Sequence, residues 1–529
     1  MQLELGFYAR TILGIRQLMR TPPLAAPEQV ICNQLKAREE TFLEITRKLV
    51  FSNPASPYFK MFELAGCTWA DLENSVHRYG LEATLDRLMD AGVYLTHEEF
   101  KGKRAIIRAG CHIPASTASF QNPFGRGRFE SFSGGSSSKA VRSERSLEFR
   151  LYGEAWRRFQ QQEWGVEKHL PVTMFPILPS TIFLSSGLSQ SRMGRPYAAW
   201  FTVDGGRAHQ RAYRLGTAAL VSAARLFGAH LPYPTFLPPG GPERAAVWIA
   251  ERKREGKACA VWCFAASAVQ VARVALEGGW DIAGTVFLAG SEPLSPAKRS
   301  VIERAGAYAY GQYHISEIGL VGTACRAMTK DNDFHLSLDM VAATTRKREI
   351  ASAGAQINVL FFTTLHPNAP HFFINADMGD AGELEPAGCD CTFARAGFKA
   401  CIRKVYSYSK LNSQGVTLAA ADLARILEEV LPARLGGVTG DYQLVEQEVG
   451  GEPHLTLRVS PRAGLSDAGL VRECFLREIQ TCYGGSMAFR LWRHADAISV
   501  CFAEPLISPA GKVLPLHLLK AESHAGHES

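Results

Sequence analysis

The chain has no apolar run near the ~18 residues that a membrane-spanning helix needs. It has no basic tract interleaved with aromatics: Asp and Glu alternate with Lys and Arg nearly throughout, and the formal net charge is only +7. A nucleic-acid partner is therefore not expected. The first twenty residues, MQLELGFYARTILGIRQLMR, lack the charged-then-apolar order and small-residue cleavage site of a signal peptide. They read as an amphipathic helix. No Gly-x-Ser-x-Gly elbow occurs, and Gly511–Lys512 lacks the flanking residues of a nucleotide-kinase P-loop. No repeat of fixed period is found, which sets aside solenoids and propellers.

What is present suits an enzyme-sized globular protein. The apolar share of 46% and charged share of 21% are ordinary. At 529 residues the chain is too long for one ordinary core. Twelve cysteines without an export signal imply a reducing, cytoplasmic setting, with most thiols buried and a few available to a metal.

Apolar spacing divides the chain. Residues 1–105 read as a helical lead-in, with helices over 25–50 and 68–92; Thr68 is a candidate N-cap and Gly92 a candidate stop. From about 105, short apolar runs (TMFPILP, ACAVWCF, GTVFLAG) alternate with helical stretches, which predicts an α/β body with parallel pairing. INVLFFTTL and HFFINAD read as two further strands ending at MGDAGELE. Residues 404–529 read as a small α+β module after a large domain spanning 1–403.

One stretch is compositionally odd. SFSGGSSSKAVR, residues 131–142, has seven Ser or Gly among its twelve residues. Alone, such a segment is either a flexible linker or a loop whose small residues let backbone N–H groups approach a polyphosphate. Three later stretches bear on the choice: TVFLAGSEPLS (285–295), YGQYHISEIG (310–319) and INADMGDAGEL (374–384).

In this order the four motifs resemble the adenylate-forming superfamily of acyl-CoA synthetases and adenylation domains, in its phenylacetate–CoA ligase-like branch. The resemblance spans residues ~105–420 and favours the phosphate-loop reading. It implies a large multi-sheet α/β domain, a small mobile C-terminal domain, and activation of a carboxylic acid with MgATP. In the roles it implies, Ser133, Gly134, Gly135, Ser136, Ser137, Ser138 and Lys139 hold the β- and γ-phosphates. Gly290, Ser291 and Glu292 flank adenine, with Tyr313 lying on its ring. Ser316 meets the α-phosphate, Glu317 holds Mg²⁺, and Asp380 accepts the ribose hydroxyls. Lys512, in ISPAGKVLP, bridges the carboxylate and the α-phosphate.

Some positions depart from the pattern. His314 stands where the family has Gly, beside the acyl site. The hinge region reads CIRKVYSYSKLNSQGVTL, where Arg403 could take the basic role but the acidic hinge residue is absent. Cys325, His335, Cys389 and Cys391 form a second signal. Four such ligands suit tetrahedral Zn²⁺ in a closed, structural site, and some members of the branch carry a similar arrangement.

The expectation is an acid ligase that forms acyl-AMP and pyrophosphate from an aryl or arylalkyl acid and then passes the acyl group to coenzyme A or a carrier thiol. An amine acceptor or an unusual acid, a nucleotide-binding homologue without catalysis, and a zinc-dependent enzyme are the alternatives. A homodimer is left open.

Overall fold

The structure, a computed structural model, describes residues 5–132, 142–203, 210–237, 242–329, 332–350, 355–407, 412–413, 416–417, 420–449, 452–481, 498–507 and 513–519. Among them, no helix is long and apolar enough to cross a membrane.

Helices fill the first hundred residues, but both long helical readings break. The first divides into Pro27–Lys36, Arg38–Thr46 and a π turn over Arg47–Phe51. The second is capped by Thr68, whose hydroxyl accepts from Asp71 N while the Asp71 carboxylate accepts from Thr68 N; this is the reciprocal capping box. It then splits at Gly80, where φ is +79°, into Trp69–Tyr79 and Leu81–Asp90. A left-handed residue ends a helix at little cost only when it is glycine. Gly92, at φ +92°, follows the second piece as expected.

Two hairpins precede the body: β1 (Ile106–Arg108) with β2 (Cys111–Ile113), and β3 (Phe129–Phe132) with β4 (Arg142–Arg145). Strands β5 (Leu170–Thr173), β6 (Ala199–Val203), β7 (Thr235–Leu237), β8 (Cys259–Phe264), β9 (Val286–Gly290) and β10 (Tyr308–Ile315) pair in parallel. Strands β11 (Gly319–Thr323), β12 (Phe334–Leu336), β13 (Val341–Ile350), β14 (Ala355–Thr364), β15 (Ala376–Pro386) and β16 (Ala400–Ser407) continue the sheet antiparallel. The twelve strands run in the order β13-β14-β15-β16-β12-β11-β10-β9-β8-β5-β6-β7. The expected α/β class is met, with the strands joined in one mixed sheet.

The apolar runs explain the layering. All six residues of β8 are buried, as in a parallel strand covered on both faces. One face of the parallel half packs Trp200, Trp262, Phe264, Leu288 and Tyr310 together. The other packs Val261, Phe287 and Ala289 against helices Glu243–Arg254, Ala265–Gly278 and Pro296–Arg304. The antiparallel half shares a core with the helical lead-in.

Of HFFINAD only Ala376 and Asp377 lie in a strand, at the start of β15, and MGDAGELE, expected to end the strands, runs within it. The backbone of the preceding residues is taken up by the lead-in, by Phe120 and by β14, where Phe373 N and Asn375 N donate to the Thr364 and Thr363 hydroxyls. Phe372 N donates to Phe120 O, Ile374 N to the Tyr58 hydroxyl, and Leu95 N to Asn375 O. Asn375, at φ +48°, gives its side-chain amide to Leu85 O and Val93 O.

After a short hairpin of β17 (Asn412–Ser413) with β18 (Val416–Thr417), the last described part is a separate four-stranded sheet, ordered β21 (Ile498–Phe502), β20 (Glu452–Val459), β19 (Tyr442–Val449) and β22 (Leu516–Leu519). It has its own core, which includes Leu427, Leu457 and Phe475. Strand β16 runs to Ser407 within the large sheet, and this smaller core begins at Leu423.

Candidate functional site

Phe264 and Gly290, the last residues of β8 and β9, stand in register with Gln312 of β10, which runs on to Ile315. Ligands of open α/β sheets bind outside the carboxyl ends of the strands. The segments that leave them are those singled out from the sequence.

After β9 the chain turns at Ser291, which has φ +65° although it is not glycine, and Glu292 follows, nearly buried. Glu292 Oε2 accepts from Ala266 N at 2.8 Å. Helix Ala265–Gly278 has no side-chain cap of its own, so a carboxylate from the next strand satisfies its N-terminus.

Tyr313 and His314 lie among the last residues of β10, where the β10–β11 register slips between them, and Ser316 and Glu317 follow the strand. The Tyr313 hydroxyl donates to Asp380 Oδ2 at 2.6 Å, joining residues 67 apart in sequence. Burial and then the Asp380 charge push the Tyr313 pKa well above its ordinary value. The ring lies 5.7 Å from Phe334 and 6.1 Å from Phe362. Asp380 follows Gly379, whose φ is +90° and whose N–H is held by Asp377 Oδ1 at 2.8 Å.

The His314 side chain is exposed to solvent near the end of β10. Desolvation, with Arg145 and Arg157 nearby, pushes its pKa down to about 3, so the ring is neutral at pH 7.

Glu317 is buried and has partners that the sequence did not suggest. Lys101 Nζ lies 3.3 Å from Glu317 Oε1, across 216 positions of sequence. His371 N donates to the Glu317 carbonyl, and the fully buried His371 ring stacks on Phe373. Burial lowers the His371 pKa to about 4, against the pull of Glu317. Nothing in the spacing of Lys101 or His371 marks them; the lead-in and the segment before β15 bring them together. Arg403 is engaged elsewhere, with Nη1 3.2 Å from Asp333 and Nε 2.6 Å from Glu385.

Ser133, Gly134, Gly135, Ser136, Ser137, Ser138, Lys139 and Lys512 lie outside the described residues.

No family model matches this sequence, and no curated protein does. Among solved structures the chain is similar to a 2-hydroxyisobutyryl-CoA ligase in complex with 2-HIB-AMP and CoA, at 14% identity and TM-score 0.42 over 97% of this chain and 90% of that one. It is similar to E. coli MenE, variant R195K with bound OSB-AMS, at 10% identity and TM-score 0.33 over 65% and 61% of the two chains. IdnL7 aligns at 10% identity and TM-score 0.33 over 84% and 80%. Likeness at this level does not decide function, which is argued from the side chains.

The four metal-ligand candidates converge. Cys325, His335, Cys389 and Cys391 bring their ligand atoms within 4.8 Å of one another. Cys389 Sγ is 3.8 Å from Cys325 Sγ and 3.6 Å from Cys391 Sγ, and His335 Nε2 is 3.2 Å from both Cys389 and Cys391. His335 Nδ1 lies 2.9 Å from Phe398 O, which orients the ring and leaves Nε2 to the cluster. Three thiols and one imidazole are the donors that Zn²⁺ takes, and the set fits that ion. Glu163 braces both ligand-bearing loops, accepting from Arg326 N at 3.2 Å and Thr392 N at 2.9 Å. His335 pairs with Cys401 and Cys401 with Glu385, five positions along β15 from Asp380. At ~3.4 Å per strand residue the cluster sits roughly 17 Å from Asp380, too far to touch the same ligand.

Proposed function

We propose that the chain is an ATP-dependent acid ligase of the AMP-forming kind, resembling the phenylacetate–CoA ligase-like branch. The observation that supports it best is the meeting of Glu292, Tyr313, Glu317 and Asp380 at one end of the sheet, in the order and kind that nucleotide activation requires.

In this reading a carboxylate oxygen of the substrate attacks the α-phosphorus of MgATP, forming the P–O bond of acyl-AMP while pyrophosphate leaves. Asp380 takes the ribose hydroxyls, exchanging the Tyr313 hydroxyl for them. Glu317 would hold Mg²⁺, a hard cation that takes oxygen ligands and shares them with phosphates. Ser316 and Lys512 meet the α-phosphate, and the loop 133–139 the leaving pyrophosphate. A preorganised cation at such a centre accounts for ~10²–10³-fold in rate. The Cys325–His335–Cys389–Cys391 set would hold Zn²⁺ as a closed structural centre.

The acid is read as aryl or arylalkyl. Trp262 and Phe264 belong to the packed core. Coenzyme A or a carrier thiol is the acceptor in this reading, an amine the alternative, and the residues after the large sheet form a small mobile domain.

The test is pyrophosphate release from ATP across aryl, amino-aryl and fatty acids, with and without coenzyme A. Acid-dependent release that Lys512→Ala abolishes is expected. ATP binding with no release for any acid would leave a nucleotide-binding homologue.

A further inference from the structure

The turn that carries Glu292 is held from an unexpected direction. Glu428 belongs to the helix leading into the small module, yet it is nearly buried against the large body. Its two oxygens have separate partners: Ser295 Oγ donates to Oε2 at 2.6 Å, and Lys298 Nζ lies 2.8 Å from Oε1. Lys298 Nζ also donates to Pro293 O at 3.1 Å, and both side chains of the ion pair are 6% exposed. One carboxylate thus holds Ser295 and Lys298, and Lys298 in turn holds Pro293, the residue immediately after Glu292.

The local sequence explains how Glu428 reaches them. Pro432 has no N–H to give to the Glu428 carbonyl, and the helix opens into a π turn over Ile426–Val430. The other support of the segment comes from the large body: Leu294 N donates to Asn332 Oδ1 at 3.1 Å, and Asn332 Nδ2 to Val405 O at 2.7 Å.

We propose that Glu428 is a positioning residue: docked, it holds Pro293–Lys298, and so Glu292, in the nucleotide-ready shape. The inference rests on the reading that this turn flanks the nucleotide. Lys298 supplies the switch. Burial opposes its charge, while Glu428 and then Glu292 hold its pKa above the ordinary lysine value. When Glu428 departs with the small module, Glu292 is the acid left to Lys298. A buried ammonium does not stay unpaired. Lys298 then draws Glu292 away from Ala266 N–H, the turn loosens, and bound nucleotide is released. Movement of the small module and nucleotide affinity are thereby linked.

Two measurements on E428Q test this. Without nucleotide, amide hydrogen exchange over 290–295 is expected to quicken at least fivefold while the thermal midpoint stays within 2 °C. In the acid-dependent pyrophosphate assay the KM for ATP is expected to rise about tenfold with kcat within twofold. The double variant K298M/E428Q, with no stranded ammonium, is expected to return to within threefold of the parent KM. If E428Q does not fold, E428D carries both measurements, since a shorter carboxylate reaches only one partner. Unchanged exchange over 290–295 overturns the positioning role. A double variant no better than E428Q overturns the Lys298 switch. A parent protein with no acid-dependent pyrophosphate release overturns the ligase reading instead, and the exchange measurement still decides whether Glu428 holds the turn.

Discussion

Asp380 and its neighbours show what a single residue contributes to the site. The Tyr313 hydroxyl is both donor and acceptor, so it occupies Asp380 in the way that a ribose hydroxyl would. Losing hydrogen bonds to a charged group costs about 1.5–3 kcal/mol each, or roughly 10- to 100-fold. Asp380→Ala is therefore expected to raise the KM for ATP at least tenfold, with little change in the KM for the acid. Tyr313→Phe is expected to change the KM for ATP by only a few-fold, because substrate hydroxyls replace the lost donor. Steady-state kinetics of pyrophosphate release with each substrate varied in turn reads both. Equal losses in the two variants would remove Asp380 from the ribose role. At this scale short motifs were legible as places: the stretches holding Tyr313 and Asp380 stand out by order and spacing, and the two side chains meet in a hydrogen bond. Lys101 was not legible. Its relation to Glu317 arises from the packing of a helical lead-in against a strand end, and no local pattern encodes it.

Elements show where periodicity misled and where cysteine spacing served well. HFFINAD has strand composition, but β propensity measures fit to a pleated, half-buried surface. Here its backbone donors go to scattered acceptors rather than to a strand ladder: Phe373 N and Asn375 N to the Thr364 and Thr363 hydroxyls of β14, Ile374 N to the Tyr58 hydroxyl, and His371 N to Glu317 O. Gly80 likewise divides what apolar spacing presents as one helix. The Cys and His residues, by contrast, fall together although they come from the segment after β11, from β12, and from the β15–β16 connection. A metal there would tie three separately wandering segments beneath the antiparallel half of the sheet. Cys389→Ser removes one thiolate and leaves a buried cluster with the wrong donor. The expected outcome is loss of bound zinc, by elemental analysis of the purified protein, with a thermal midpoint lower by several degrees. A strong chelator should reproduce the shift in the parent protein and leave the variant unmoved. Full stability without metal would refute the structural-zinc reading. Activity is expected to fall no faster than the folded fraction, since Asp380 lies roughly 17 Å away along the strand.

The whole molecule poses a question of attachment. The small module offers two buried acids to the large body, Glu428 and Asp441, and receives two cations from it, Lys298 and Arg273. Asp441 also accepts from Val438 N, which fixes the turn before β19, while Arg273 extends from the helix whose N-terminus Glu292 caps. Both attachments therefore reach elements next to the turn that carries Glu292. Buried pairs are screened weakly by salt, and removing one partner of such a pair leaves an uncompensated charge that costs about 3–5 kcal/mol. Arg273→Met strands Asp441 in this way. If the residues after the large sheet move as a small domain, as proposed, the docked arrangement becomes less favourable without either core being disturbed. The expected result is a larger radius of gyration by small-angle X-ray scattering in the variant, at unchanged secondary structure by circular dichroism. Raising salt in the parent protein from 0.1 to 0.5 M should produce a much smaller change, because the pairs are enclosed. If the attachments matter to catalysis through the turn, R273M combined with E428Q should raise the KM for ATP by more than the product of the single effects, since each pair partly compensates for loss of the other. Independent effects would mean that only the Glu428 contact reaches the turn, and that Arg273–Asp441 secures the module alone.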